Sequence, residues 1–593
     1  MKENIEEKYN WNLEDIFKTE NDFQLAKQSI EKNLEDFERY KGILCDNADT
    51  LYSCYSLYEE TLKIFEKVYS YGMFKYHLNM ADQEGIKKFK EVENLSAKFE
   101  TAISFITPEI TYAEEDKILG FFQEKAELKR YERDIKEILE KKKHILSKQE
   151  EELLSNYSEV FSAPENIFDI LTNAEFKFGD LIDENGNKVQ LTDATYTIYL
   201  KSQNENVRKQ AFSLMYEKYK EYINTISEIY LANVKETSIT AKLRKYTSSL
   251  EMETEYDDAN IKVYNALMDG VNKNLDINHD FIELKKKLLN KNDFHMYDLY
   301  VNPFEEEKDE ISFESAKQEV LEALNILGKD YTDNLREAFD SRWIDVYEKP
   351  NKRGGAYSSG VYGVHPFVLM SFTNSKRDVS TIAHELGHSM HSYYSNEAQN
   401  IIDANYTIMV AEVASTVNEI LLSEYQMAKE ENPKKKAEII YELLEMIRAT
   451  FYRQSMFAEF EKIVHEKIEN SEILASEDLN NIYYSLNEKY FGDKIIIDKE
   501  IQYEWARIPH FYTDFYVYKY ATGISAAICI ASKIIKKEEG FVDKYINMLR
   551  QGKMKKSVDL LKMVDVDLEN PETYTKTAEF YKEKIEDLKK LIK

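Results

Sequence analysis

The stretch TIAHELGHSM, Thr381–Met390, sets His384 and His388 four residues apart with Glu385 beside the first of them. On a helix, residues i and i+4 lie about 40° apart around the axis and one turn along it, so both imidazoles project from one face. That spacing lets two ring nitrogens reach one zinc ion at about 2.0–2.1 Å. Glu385, about 100° around the axis from His384, cannot complete the same chelate but can reach a water on the metal. Asp378 or Ser380 is the expected helix cap, and Leu386 and Met390 give the helix apolar sides to bury. With 10 histidines and 109 acidic residues in 593 positions, independent placement yields this pattern at most about 0.03 times per chain. Chance is therefore a poor explanation, and the pattern needs a third ligand to become a site.

A catalytic zinc takes three protein ligands and keeps one position open. His391, at i+7 from His384, is about 10 Å along a straight helix from it, so it belongs beside the site rather than on the metal. A better candidate lies in TIMVAEVASTVNEILLSEY (407–425), where Met409, Val413, Ile420 and Leu421 mark an amphipathic helix and Glu412 interrupts the apolar run. Thr416 and Glu419 follow on nearly the same face. A carboxylate among Val410, Ala411, Val413 and Ala414 is costly to bury unless it is paired or bound to metal; an ordinary exposed glutamate is the alternative reading. The segment 395–406 is long enough to turn one helix back onto the other.

The surroundings are helical. Eight prolines and 17 glycines are few for this length, and long breaker-free stretches at 58–81, 437–468 and 573–593 repeat apolar residues three or four apart. Strand signals fall in two places. One is EFKFGDLIDENGNKVQL (175–191), where Asn185-Gly186 reads as a hairpin turn; the other is the glycine-punctuated GGAYSSGVYGVHPFVLMSFT (354–373). The lysine run at 133–152 is interleaved with acids and reads as a solvated helix face. A polar loop near residue 200 marks a soft boundary. No repeat of fixed period and no low-complexity segment is evident.

Bulk properties narrow the function. A formal charge of −30 with a pI near 5.0 disfavours nucleic-acid and anionic-membrane partners. Cys45, Cys54 and Cys529 form neither a CxxC nor an even set, so no disulfide framework or thiolate zinc site is indicated. The N-terminus lacks the apolar core of a secretory signal, and no stretch reaches the length of a membrane span. The expected location is the cytoplasm.

HELGHSMHSYYS followed by AEVASTVNE resembles the thimet oligopeptidase and oligoendopeptidase F family of zinc endopeptidases, and is most similar to its oligoendopeptidase F branch. The likeness covers most of the chain, including YNWNLEDIF (9–17), KRGGAYSSG (352–360), FYRQSMFAEFE (451–461) and WARIPHFYTDFYVYKYATG (505–523). The resemblance implies one Zn²⁺ per chain held by His384, His388 and Glu412, with Glu385 as general base and acid. It also implies that His510 and tyrosines near it bind substrate and stabilise the negative intermediate. Among those tyrosines, Tyr518 is assigned to catalysis and Tyr512 and Tyr516 to substrate binding. A tetrahedral intermediate needs donors besides the metal, and this segment, with Tyr520, is rich in them. His391 and Glu419 are placed near the metal rather than on it. Gly354, Gly355 and Ala356 are expected to lie against an extended peptide at a strand edge, whereas His365 reads as structural.

The resemblance further implies a mostly α, zincin-type clam-shell with a deep substrate channel and a small β-sheet near the active site. Region 1–200 would be an N-terminal helical part and 201–593 the catalytic part, packed as lobes around one channel. The expected substrates are short unfolded peptides, cut at internal bonds; the oligomeric state is not readable. Two rivals stand beside this reading: a helical zinc carboxypeptidase, which shares H-E-x-x-H with a downstream glutamate, and a non-catalytic zinc protein that binds peptides.

Overall fold

The computed structural model describes residues 6–304 and 310–592. Helices carry most of this chain, as the scarcity of glycine and proline requires, and their ends are set by local capping. Thr19 and Asp22, Ser147 and Glu150, and Ser375 and Asp378 each form a reciprocal capping box. Among the described residues, five short strands make two small sheets. No helix of the described residues is long and apolar enough to cross a membrane.

The chain divides into two contact units, each assembled from three separated stretches: Met1–Ile145, Lys308–Ala428 and Ile530–Val566 in the first, and Leu146–Glu307, Lys429–Cys529 and Asp567–Lys593 in the second. This differs from the consecutive regions 1–200 and 201–593 expected from sequence. The units arise from contacts between distant stretches, which leave no mark on local composition.

In the first unit, the 31-residue helix Ala48–Leu78 packs against Glu20–Phe37 and Gln83–Ile103. The cores between them are built from residues such as Phe37, Leu51, Tyr55, Val68, Phe74 and Val92, all fully buried. A three-stranded sheet adjoins them, with β3 (Ile344–Tyr347) parallel to the central β5 (Phe367–Phe372) and β4 (Tyr357–Ser359) antiparallel at its edge. The near-continuous burial of β5 follows from its apolar run FVLMSF. Trp11 of the YNWNLEDIF stretch fastens the N-terminus to this sheet: its indole N–H lies 2.9 Å from the Trp343 carbonyl and 2.8 Å from that of Val368. Lys352, buried, donates to the carbonyls of Tyr347 and Met370 at 2.8 and 2.6 Å and pairs with Asp345. The sheet is thereby held together just before β5 runs into the motif helix.

The second unit holds the expected hairpin, β1 (Asp180–Ile182) with β2 (Lys188–Gln190), closed through Gly186 at φ +80°. Its core is aromatic: Tyr230, Phe460, Trp505 and Phe511 pack with ring centroids 5.1–6.1 Å apart.

Candidate metal centre

The site residues of the motif lie on the helix Lys376–Ala398, which starts a few residues earlier than expected. Ser375, rather than Asp378 or Ser380, is its cap. The Ser375 hydroxyl accepts from the Asp378 N–H at 3.3 Å, and the Asp378 carboxylate accepts from the Ser375 N–H at 2.9 Å and the Thr373 N–H at 2.8 Å. Asp378 is thus the third residue of a capping box, a role its own capping propensity disguises.

A second helix, Ile408–Lys429, crosses the first at close range. Gly387 sits at the crossing, where a Cβ would lie 2.5 Å from Ser415 Cα and 2.7 Å from the Ala414 carbonyl oxygen. Only glycine allows that approach. Asn418, fully buried, clamps the same crossing: its amide donates to the Ala383 carbonyl at 3.0 Å, and its carbonyl accepts from Tyr331 Oη at 3.1 Å. The sequence reading passed over both residues. A glycine inside a helix and an asparagine on its apolar face are the available signals, and both conflict with helix propensity unless something packs there.

This crossing brings Glu412 to the two histidines. Its Oε2 lies 3.4 Å from His384 Nε2 and 3.6 Å from His388 Nε2, and the two Nε2 atoms are 3.2 Å apart. An ion held tetrahedrally by ligands at about 2.0–2.1 Å separates its donors by about 3.3 Å, so these three atoms have the spacing a zinc-sized cation requires. Among the described residues they are the cluster of three such side chains whose ligand atoms fall within 4.8 Å of one another. The Glu419 carboxylate accepts from His384 Nδ1–H at 3.0 Å, leaving Nε2 to face the cluster. Glu412 is not buried, however: its side chain is 47% exposed. Its carboxylate therefore incurs little burial cost, and the helix crossing is what sets it opposite the histidines.

Charge points the same way. Glu385, Glu412 and Glu419 surround two imidazoles, leaving the cluster short of positive charge. Burial works against a proton on His384, yet the Glu419 carboxylate on its Nδ1, with Glu412 and Glu385 nearby, holds its pKa up to about 9. Burial takes His388 down to about 4. Glu385 is only 6% exposed, and burial raises its carboxyl to about 7, against the pull of His384 and the Ser358 backbone N–H of β4. Strand β4 is tied to the motif helix again by the Ser358 and Ser389 hydroxyls, 2.8 Å apart.

His391 is buried and stacks flat on Tyr406, ring centroids 3.6 Å apart at 3°; it is outside the three-ligand cluster, and burial lowers its pKa to about 3. His365 stacks on Trp343 at 4.8 Å and lies 3.2 Å from Asp15, on the sheet side of the unit. Gly354 and Gly355 are exposed in the turn that precedes β4, with Ala356 half-buried next to the strand.

The remaining predicted residues belong to the second unit. His510 lies exposed on the single turn Pro509–Tyr512, with burial of its inner side lowering its pKa. Tyr516 and Tyr520 flank it, each with ring centroid 6.0 Å away, and Tyr520 Oη is 3.4 Å from His510 Nε2. Tyr512 is buried and stacked on Phe168 at 4.5 Å. Tyr518 corrects the sequence reading: it is fully buried, its hydroxyl donates to Asp257 at 3.0 Å, and its ring packs on Tyr264. A tyrosine spent in this way has no hydroxyl to offer a substrate. Tyr520, by contrast, brings its oxygen to the His510 imidazole.

Two histidines and a glutamate spaced to hold one cation, with a buried carboxyl beside them, are the arrangement expected of a metallopeptidase, and comparison with known proteins places the chain among the metalloendopeptidases. The profile of peptidase family M3 matches residues 198–580, and that of the oligopeptidase F N-terminal region matches 109–178. The chain belongs to peptidase family M3. It is 39% identical to oligopeptidase PepF of Bacillus subtilis, over 98% of this chain and 87% of that one. It is 36% identical to an oligoendopeptidase F homologue of Borreliella burgdorferi, over 99% of both. The crystal structure of oligoendopeptidase-F from Enterococcus faecium, 30% identical, matches with a TM-score of 0.74 over 96% of this chain and 99% of that one. The fold is thus the helical one of these peptidases, with small sheets, and the chain is a metallo-oligopeptidase.

Proposed function

We propose that this chain is a zinc-dependent endopeptidase that hydrolyses internal bonds of short, unfolded peptides in the cytoplasm. The observation that carries the reading is the 3.2–3.6 Å spacing of His384 Nε2, His388 Nε2 and Glu412 Oε2. Two imidazoles and one carboxylate suit zinc and leave a coordination position open. When bound, zinc supplies Lewis-acid polarisation of a carbonyl and acidifies water by several units.

The chain's own groups do the rest. Glu385 takes the proton of the attacking water on its carboxylate and returns it to the departing amine; a carboxyl raised toward neutrality suits both transfers. Glu419 fixes the tautomer and orientation of His384 through Nδ1. His391 packs behind the ligands, keeping the motif helix rigid against Tyr406. His510, with Tyr516 and Tyr520 around it, presents a group of hydrogen-bond donors suited to the carbonyls of a peptide backbone. Strand β4, at the sheet edge, offers main-chain pairing to an extended peptide, which gives affinity with little sequence selectivity.

The test is an internally quenched peptide blocked at both ends, with products identified by mass. Wild-type protein should cut it at internal bonds, and Glu385→Gln should lower kcat by at least about a hundredfold. Undiminished cleavage by Glu385→Gln, or release of single C-terminal residues from the unblocked peptide alone, would remove the proposal.

A further inference from the structure

The free edge of β4 points main-chain groups outward next to Glu385, and the same strand starts from an unpaired arginine. Val368 of β5 donates its N–H to the Trp343 carbonyl, on the β3 side. The pair Ser358–Val368 is therefore of the non-hydrogen-bonded type, and the Ser358 N–H and C=O face the free edge. The Ser358 hydroxyl meets that of Ser389 at 2.8 Å, and Ser389 donates to the Glu385 carbonyl at 2.9 Å. The edge is thus fixed beside Glu385, all within the first contact unit.

Arg353 stands exposed just before β4 in that unit, and no carboxylate among the described residues pairs with it. A buried histidine at the end of the helix Ala48–Leu78 nonetheless holds it in place. The Arg353 backbone N–H bonds the His77 carbonyl at 2.9 Å, and Nη1 donates to His77 Nε2 at 2.9 Å. A guanidinium has no acceptor, so His77 Nε2 carries the lone pair and the ring proton sits on Nδ1, donated to Tyr357 Oη at 2.8 Å. Burial, with the guanidinium beside it, lowers the His77 pKa to about 4 and keeps the ring neutral. A neutral histidine orients the arginine without cancelling its charge. Nη2 and Nε make no other hydrogen bond among the described residues, which leaves donors for a forked contact with a carboxylate.

The turn that follows has room for such a ligand. A Cβ on Gly354 would meet no atom within 4 Å, and its φ lies outside the left-handed region, so neither packing nor backbone conformation demands glycine there. Close approach of another chain would demand it. Arg353 precedes Ser358 by at most about 17 Å of extended chain, so a paired peptide passes the guanidinium within about five residues of its Ser358 contact.

We propose that Arg353, held by His77, binds a carboxylate of the peptide paired along β4, either its free C-terminus or an aspartate or glutamate side chain. His77 is a positioning residue in this scheme. The inference rests on the peptidase reading, and it adds a charge preference that main-chain pairing does not supply.

The experiment uses metal-loaded enzyme and internally quenched peptides in matched pairs. One series sets a free C-terminus against its amide, with about one to six residues after the cut bond; the other moves aspartate against asparagine along amidated peptides. In at least one pair the charged form should be cleaved with a kcat/KM about tenfold higher, equivalent to about 1.4 kcal/mol, through KM rather than kcat. The series that shows it tells terminus from side chain. In Arg353→Ala the ratio should fall to near one, in Arg353→Lys it should be kept in part, and in His77→Phe it should fall severalfold. An Arg353→Ala protein that loses activity equally on both members of a pair, with the ratio intact, would make the arginine structural and overturn the proposal. Wild-type cleavage indifferent to charge in every pair would overturn it too and leave the peptidase reading standing. Absence of all cleavage would overturn that reading instead, and a second arm without turnover then decides the arginine. Fluorescence anisotropy of Glu385→Gln with the same labelled peptides should show tighter binding of the charged form, lost when Arg353→Ala is added. Equal binding of charged and neutral forms would overturn the proposal.

Discussion

Gly387 and Ser415 lie so close that a Cβ on the glycine would sit 2.5 Å from the Ser415 Cα, backbone against side chain with nothing flexible between them. This contact sets where Glu412, one turn before Ser415, stands relative to His384 and His388. Gly387→Ala must therefore push the two helices apart. We expect a loss of about 1–3 kcal/mol in stability from overpacking and a protein purified with much less metal than wild type. Unchanged metal content with normal activity would show that the crossing does not position the ligands.

Asn418 holds the same crossing by hydrogen bonds. Asn418→Ala leaves Tyr331 Oη without its partner and removes the bond to the Ala383 carbonyl, so it should cost about 1–3 kcal/mol. Denaturant unfolding checks the figure. Asn418→Asp should be worse than a simple loss, because it places a charge where none is matched.

Glu419 acts on the metal through His384. Glu419→Ala should weaken zinc affinity by about 10–100-fold without removing a ligand, as read by competition with a chromophoric chelator. The fold should survive, since Glu419 is only one partner of a partly exposed histidine. An affinity equal to that of Glu412→Ala would instead make Glu419 a direct ligand.

Glu385 sets the acid limb of the pH–rate profile. Burial raises its carboxyl from 4.5 to about 7, and a neighbouring dication draws it back down. Its proton-accepting form is lost as pH falls through the resulting value. The acid limb of kcat/KM should consequently lie between about 4.5 and 7, and should be missing from the residual activity of Glu385→Gln.

Glu253 supplies a stability test of opposite sign. Burial, with Asp514 and Asp257 adding repulsion, raises its folded pKa to about 8 from 4.5. The folded state then binds more protons than the unfolded state between those values, so this group's contribution to stability declines as pH rises from about 4.5 to 8. Glu253→Gln should raise Tm more at pH 8 than at pH 5. An equal shift at both would indicate a carboxyl with an ordinary pKa.

Much of the centre was legible in sequence because it is local. The i, i+4 spacing of His384 and His388 is a property of one helix, and the 10 Å rise that excludes His391 from the metal follows from the same geometry. Asn185-Gly186 announced its hairpin in the same way. What the sequence concealed depends on distant contacts. Ser375 and Asp378 both have capping chemistry, and only their mutual bonds show which is the cap. Glu412 was singled out on a burial cost that its exposed carboxylate does not incur. Tyr518 looked like its neighbours in a tyrosine-rich run, but Asp257, 261 residues away in sequence, takes its hydroxyl. The interleaving of three stretches into each contact unit is likewise invisible to any local pattern.

The most direct test of the account is restoration of activity in chelator-stripped protein by a stoichiometric titration with zinc, using the end-blocked quenched peptide. Activity should be lost on stripping, return linearly, and reach a plateau at one zinc per chain, with no recovery in His384→Ala or Glu412→Ala. Cleavage that survives stripping, or a plateau that requires a second equivalent, would contradict a single site built from His384, His388 and Glu412.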